Sequence, residues 1–315
     1  MPDGNMTTQS EPEHKPVMPE PVLKLLSPSE GEVYVDLTAG LGGHAQLIAP
    51  LLGNDGTVVL FDLDAENLAE AEKNVRNVSS CTVIPIHAGF IQVSRELRRL
   101  NLSGNMFLAD LGFSSNQVDD PTRGFSFRKD GPLDMRLNPD SHLTATELVN
   151  NLPERELAEI FSEFGEERLA RKIARILVEE RRVKPITTTR KLAEIVRRAY
   201  GKQLGKSRID PATRTFQALR IAVNDEIGSL SSLLDDISRS VSGDSRGNWL
   251  APGARIAMIS FHSLEDRPIK RVFADMTGRN VAEELTRKPF TADDEELADN
   301  PRARSARLRA VRLVN

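Results

Sequence analysis

Glu32-Val-Tyr-Val-Asp36-Leu-Thr-Ala-Gly40-Leu-Gly42-Gly43-His44 decides the fold. A β-branched, apolar run (Glu32–Leu37) ends in an acidic residue, passes through a glycine-rich turn and enters a helical pattern. Glycines there let the backbone turn sharply and approach a ligand without a Cβ in the way. In a doubly wound α/β sheet, the carboxyl end of the first strand is where ligands bind. The spacing of Gly40, Gly42 and Gly43 is not the G-x-G-x-x-G of a dinucleotide site, and no Gly-Lys-Ser/Thr of a phosphate loop follows.

Moving outward, Thr57–Asp62, Thr82–His87 and Met106–Leu111 read as further strands, with helices predicted over Gly43–Leu52, Ala65–Val78 and Phe90–Leu100. Strands alternating with helices imply a parallel sheet covered on both faces. After Gly112–Asn138, rich in Gly, Pro, Asp and Ser, the pattern is helical from Thr144 to about Ile237. Strand character returns at Ala254–Phe261 and Ser305–Val314. The fold class expected is a mostly parallel, doubly wound α/β sheet over 14–138 and 238–315. An all-helical domain is expected as an insertion over 139–237, and a polar extension over 1–13.

Asp62 ends the second strand some 20 residues after the glycines, where a carboxylate can accept both hydroxyls of an adenosine ribose. Asp64 reads as a helix cap instead. Phe90 follows the third strand and can lie against a purine, and Asp110 ends the fourth, where a carboxylate suits an amino or sulfonium group. The acidic Asp62 does not separate NAD from S-adenosylmethionine, but the glycine spacing favours the methyl donor. An NAD-dependent dehydrogenase is the weaker enzyme reading.

Composition narrows the class. The 315 residues are 28% charged, with no apolar run of the roughly 20 residues needed to span a bilayer. Cys81 is the only cysteine, which rules out an internal disulfide and a thiolate metal cluster and suits a reducing cytoplasm. No metal is expected from five scattered histidines. The net charge of −4 conceals an asymmetry: residues 181–220 hold 12 Lys/Arg against two acids, leaving 30 basic and 44 acidic residues elsewhere. A block this basic suggests a polyanionic partner. Its alternatives are a solvated helix face or neutralisation of the acidic remainder across the domain boundary.

Asp110-Leu-Gly-Phe-Ser-Ser-Asn-Gln117-Val-Asp-Asp-Pro-Thr-Arg123-Gly-Phe-Ser-Phe127 continues through Arg128-Lys-Asp-Gly-Pro-Leu-Asp134-Met-Arg136. With His14-Lys-Pro-Val-Met18, Thr215-Phe-Gln-Ala-Leu-Arg220, Val223-Asn-Asp225, Ile259-Ser-Phe-His-Ser-Leu-Glu-Asp-Arg267 and Asn300-Pro-Arg-Ala-Arg-Ser-Ala306, it resembles the bacterial 16S ribosomal RNA cytosine-N4-methyltransferase family. The resemblance implies a class I methyltransferase fold with a helical insertion. It implies that Gly42, Gly43, His44, Asp62, Phe90, Asp110 and Gln117 contact S-adenosylmethionine, and that the substrate is a cytidine in the decoding region of the small ribosomal subunit. Pro268, after Arg267, departs from the aliphatic residue expected there.

The exocyclic amine of cytosine is a poor nucleophile, so an acceptor must hold it in line with the methyl group. Candidates for that acceptor are Asp110 to Ser115 or Asp134, with Phe113 or Phe125 stacking on the base. Asp134 and Arg136 read equally well as a loop salt bridge. Arg123, Arg128 and Arg136 are candidates for phosphate contact. Ser260-Phe-His262-Ser263 looks superficially like a nucleophile motif, but methyl transfer needs no covalent intermediate, so His262 is expected to order a loop. A ribosome-assembly factor that binds RNA without turnover is the alternative from another class, and a homodimer is compatible with either.

Overall fold

The computed structural model describes residues 15–201, 210–241 and 249–314. The expected extension over 1–13 lies outside them, as do Lys202, Lys206 and Arg208 of the basic block.

Seven strands form one sheet: β1 (Val33–Asp36), β2 (Thr57–Asp62), β3 (Thr82–His87), β4 (Gly104–Asp110), β5 (Leu250–Ser260), β6 (Ala282–Glu284) and β7 (Arg307–Leu313). Their order is β3-β2-β1-β4-β5-β7-β6. The first five run parallel, and β7 is antiparallel to both β5 and β6. Alternate side chains serve opposite faces, as a pleated strand requires. Tyr34, Val58, Leu60, Met106, Leu108, Ala257 and Ile259 enter one core, and Val35, Val59, Phe61, Phe107, Ala109, Ile256 and Met258 enter the other.

The first face is covered by α1 (Pro19–Leu26), α2 (Gly43–Ile48) and α3 (Ala65–Val78). Asp64 caps α3, accepting the backbone N–H groups of Glu66 and Asn67. Beyond β3 come α4 (Val93–Arg99) and, after β4, the short α5 (Ser115–Asp119). The insertion holds α6 (Ala145–Asn151), α7 (Glu154–Gly165), α8 (Ala170–Arg181), α9 (Thr189–Tyr200) and α10 (Ala212–Asn224), which share a third core running from Leu133 to Val223.

The helix α11 (Glu226–Ser240), expected inside the insertion, belongs to the sheet instead. Its Leu230, Leu233, Leu234 and Ile237 join the second core beside α12 (Ser263–Gly278). A helical period cannot tell which core an apolar stripe faces; Asp225, at φ 46° between α10 and α11, makes the break. A last helix, α13 (Asp294–Asp299), precedes β7.

Candidate active site

The carboxyl ends of β1, β2 and β4 converge on the glycine turn. Gly42 sits at φ +82°, and a Cβ there would lie 3.1–3.2 Å from Ala71 of α3, so only glycine lets the turn close on that helix. Asp62 accepts backbone N–H groups from Gly40 at 2.7 Å and Asp64 at 2.8 Å, one on each oxygen. A carboxylate oxygen has lone pairs enough for another donor each. Burial pushes the Asp62 carboxyl up to about 6, against the two N–H bonds that favour its ion.

Asp36 was not singled out in the sequence, yet it is buried, accepts from the Tyr34 hydroxyl at 3.0 Å and the Thr38 N–H at 3.2 Å, and is pushed up to about 6 by burial. Nothing in its context marked it beyond ending β1. Asp110 Oδ2 lies 3.8 Å from Nε2 of His44. His44 Nε2 and Asp110 Oδ1 are buried without a hydrogen-bond partner among the described residues. A buried polar atom left this way calls for an explanation, and beside a strand-end glycine turn the polar end of a ligand is one that fits. Gly43 opens α2, and Phe90 is half-buried after β3.

The loop after β4 is built around Asp64. Gln117 is buried, accepts from the Ser114 N–H and donates to Asp64 Oδ2 at 3.2 Å, so its amide ties α5 to the cap of α3. Asn67 donates to Ser114 Oγ at 3.2 Å. Arg123 is not a surface phosphate contact: it donates to Asp64 at 2.6 Å and to the carbonyls of Arg136 and Leu137. Asp134 and Arg136 form the loop salt bridge that the pair also reads as in the sequence, with Arg136 donating to both carboxylate oxygens at 2.8 and 2.7 Å. Arg136 is likewise spent, donating to the carbonyls of Pro139 and Ser141 as well. Of the three arginines, Arg128 alone is exposed, with no ion pair among the described residues.

Most of the basic block that is described is also paired. Lys191 and Arg198 share Glu180, Arg197 meets Asp210, Arg190 faces Asp130 and Arg220 meets Glu226. Arg182 and Lys184 carry no ion pair among the described residues, and they flank Val183, which is 91% exposed at the turn between α8 and α9.

Phe113, Phe125, Arg123 and Arg220 cluster beside the loop. Phe113 and Phe125 stack at 5.4 Å and 19°. Arg220 covers Phe113 at 4.6 Å, and Arg123 lies 6.0 Å from the Phe125 ring. Glu226, His262 and Glu265 bring ligand atoms within 4.8 Å of one another, but the guanidinium of Arg220 is seated among them, supplying the positive charge. Arg220 and Glu265 lie in motifs whose local sequence assigns neither a role; the fold brings them together.

The residues present fit S-adenosylmethionine: a carboxylate with lone pairs to spare on β2, a close-packed glycine turn, and two orphaned buried polar atoms, one at the start of α2 and one at the end of β4. The strand order and this site define a class I, S-adenosylmethionine-dependent methyltransferase. The chain belongs to the MraW methylase family, whose pattern matches residues 11–314. A relative from Syntrophotalea carbinolica, named ribosomal RNA small subunit methyltransferase H, is 45% identical over 318 residues, covering 96% of this chain and 98% of its own. Relatives of the same name from Geobacter sulfurreducens and Acidobacterium capsulatum are 45% and 43% identical, each covering 95% of this chain and 98% and 97% of their own.

Proposed function

We propose that this chain transfers a methyl group from S-adenosylmethionine to the N4 amine of a cytidine in the decoding region of 16S ribosomal RNA, at the position numbered 1402 in bacteria. The observation that carries this reading is the stacked Phe113–Phe125 pair, which starts three residues beyond the orphaned carboxylate of Asp110. A flat base and a methyl donor thereby share one rim of the sheet.

Bound there, S-adenosylmethionine supplies an electrophilic methyl group. Asp62 would accept the ribose hydroxyls, Gly42 and Gly43 would bring backbone against the ligand, and Phe90 would face the adenine. His44 and Asp110 would hold the amino-acid end, with Gln117 closing the wall behind Ser114. Extruding the cytidine costs on the order of a few kcal/mol. Stacking on Phe113 or Phe125, worth about 1–3 kcal/mol per base, offsets it, and Arg128, Arg182 and Lys184 steer the phosphates. The partner is the small ribosomal subunit, met in the cytoplasm.

Incubating the protein with methyl-labelled cofactor and small subunits or 16S rRNA, then mapping the labelled nucleotide, tests this. Label on the N4 of one decoding-region cytidine is expected. Cofactor binding without transfer to any RNA would overturn it in favour of a silent assembly factor.

A further inference from the structure

The helix α8 turns Ala170, Ile173, Ala174 and Leu177 into the core of the insertion. Its exposed residues are Arg171, Lys172, Arg175 and Glu179, three cations against one acid. Arg168, in the turn before the helix, and Arg182, at its end, are exposed as well. At 3.6 residues per turn, positions 168, 171, 175 and 182 fall on one outward stripe. Arg168, Arg171, Arg175 and Arg182 form no ion pair among the described residues, and Lys172 donates to the Ala199 carbonyl.

In the free protein this arrangement is unfavourable. Like charges three and four residues apart on a helix repel. Cations in the first turn, where α8 has no acid, also oppose the helix dipole. A polyanion laid along the stripe offsets both effects. From Arg171 to Arg182 the stripe is roughly 16 Å long, enough for several phosphates of one strand. Glu179 lies between Arg175 and Arg182, so the positive charge is densest from Arg168 to Arg175.

That dense end stands at the corner where insertion and sheet meet. Glu166, two residues before Arg168, accepts from Ser263 Oγ at 3.4 Å and from Arg267 at 2.9 Å, both in the first turns of α12. Arg214 donates to the Glu166 carbonyl at 3.1 Å. His262, beside Ser263, lies 3.4 Å from Arg220, and Arg220 covers the Phe113 ring.

We propose that the outward stripe of α8 is the track that carries the ribosomal RNA strand to the rim beside Phe113, with Arg168, Arg171, Lys172, Arg175 and Arg182 on its phosphates. This rests on the ribosomal RNA reading above and extends its phosphate contacts along α8 to the corner beside the donor rim. Such contacts fix the register of the strand and read no base. They act through released counterions, so binding weakens steeply with salt.

The test uses the double variant Arg171→Gln/Arg175→Gln, with Arg155→Gln as a control in the same lobe, where Arg155 is paired with Glu159 at 2.8 Å. Binding to small subunits that lack the target methyl group is titrated against salt. The double variant is expected to lower the slope of log K against log salt by about 2 and to bind at least about tenfold more weakly near 0.1 M salt. The control should keep both values, and cofactor affinity by calorimetry should be unchanged in all three proteins, which also reports folding. A photoreactive azidophenylalanine in place of Arg175 is expected to crosslink to 16S rRNA in the same complex. A wild-type slope in the double variant, or a crosslink to a ribosomal protein in place of RNA, overturns the proposal. If wild type labels its cytidine and the double variant keeps the wild-type slope, the stripe falls alone. If the slope drops as expected but wild type labels no cytidine, the methyl-transfer reading falls and the stripe stands.

Discussion

Arg123 and Asp64 form an ion pair at 2.6 Å that joins the cap of α3 to the loop between sheet and insertion. Asp64 is 2% exposed, so removing its partner strands a charge out of water. Arg123→Ala is expected to destabilise the protein by about 3 kcal/mol at pH 7. Burial works to raise the Asp64 carboxyl, but the Arg123 and Gln117 hydrogen bonds outweigh it and hold it below 3.8. The contribution is therefore full above that value and lost as pH falls through the lower folded one. Urea melts of wild type and variant should differ at pH 7 and converge as the pH is lowered well below 3.8.

Cofactor affinity should follow the ionisation of Asp62. With its carboxyl near 6, the ion that accepts two hydroxyls is present above that pH and lost below it. Titration calorimetry should show weaker binding at pH 5 than at pH 7.5. Asp62→Asn should bind at least about tenfold more weakly at pH 7.5 and vary less between the two pH values.

Two glycines with similar backbone should respond differently to alanine. Gly42 at φ +82° meets Ala71, whereas a Cβ on Gly31 at φ +78° meets nothing within 4 Å. Gly31→Ala is expected to cost about 1 kcal/mol of backbone strain. Gly42→Ala should cost about 2 kcal/mol more through overpacking and should also weaken cofactor binding. Thermal melts with and without cofactor read both effects.

Salt dependence should separate exposed cations from structural ones. Arg128→Ala and Lys184→Ala should each reduce the slope of log K for RNA binding against log salt by about 1. Arg136→Ala should leave the slope unchanged and lower stability, since its guanidinium is spent on Asp134, Pro139 and Ser141. An equal slope change in all three would remove the phosphate role assigned to Arg128.

The βα alternation, the glycine turn and the carboxylates at strand ends were legible because each rests on local pattern. Asp64 could be read as a cap for the same reason. The second engagement of Asp64, with Arg123 fifty-nine residues on, is set by tertiary folding and has no local signature. β6, three residues reading Ala-Glu-Glu, has no alternation to read; it exists because β7 offers an open edge. His262 stands at the start of α12, and of the two groups beside its ring Glu265 is local at three residues on, whereas Arg220 arrives from α10 and has no local signature. Arg123 reads as a surface cation because charge alone does not say which way a side chain turns, whereas Arg136, two residues from Asp134, reads equally well as the loop salt bridge that it forms.

The insertion departs from the end of β4, and the chain returns through α11 to β5, the immediate parallel neighbour of β4. The intervening helices therefore hang from a single slot in the sheet, and their length or sequence can change without altering the register that sets Asp110 against Ile259. On the reading proposed above, in which Arg182 and Lys184 of this lobe steer the phosphates, RNA contact can diverge in one lobe while the donor pocket in the other stays as it is, which makes the lobe outside the sheet the natural place to graft a new nucleic-acid preference.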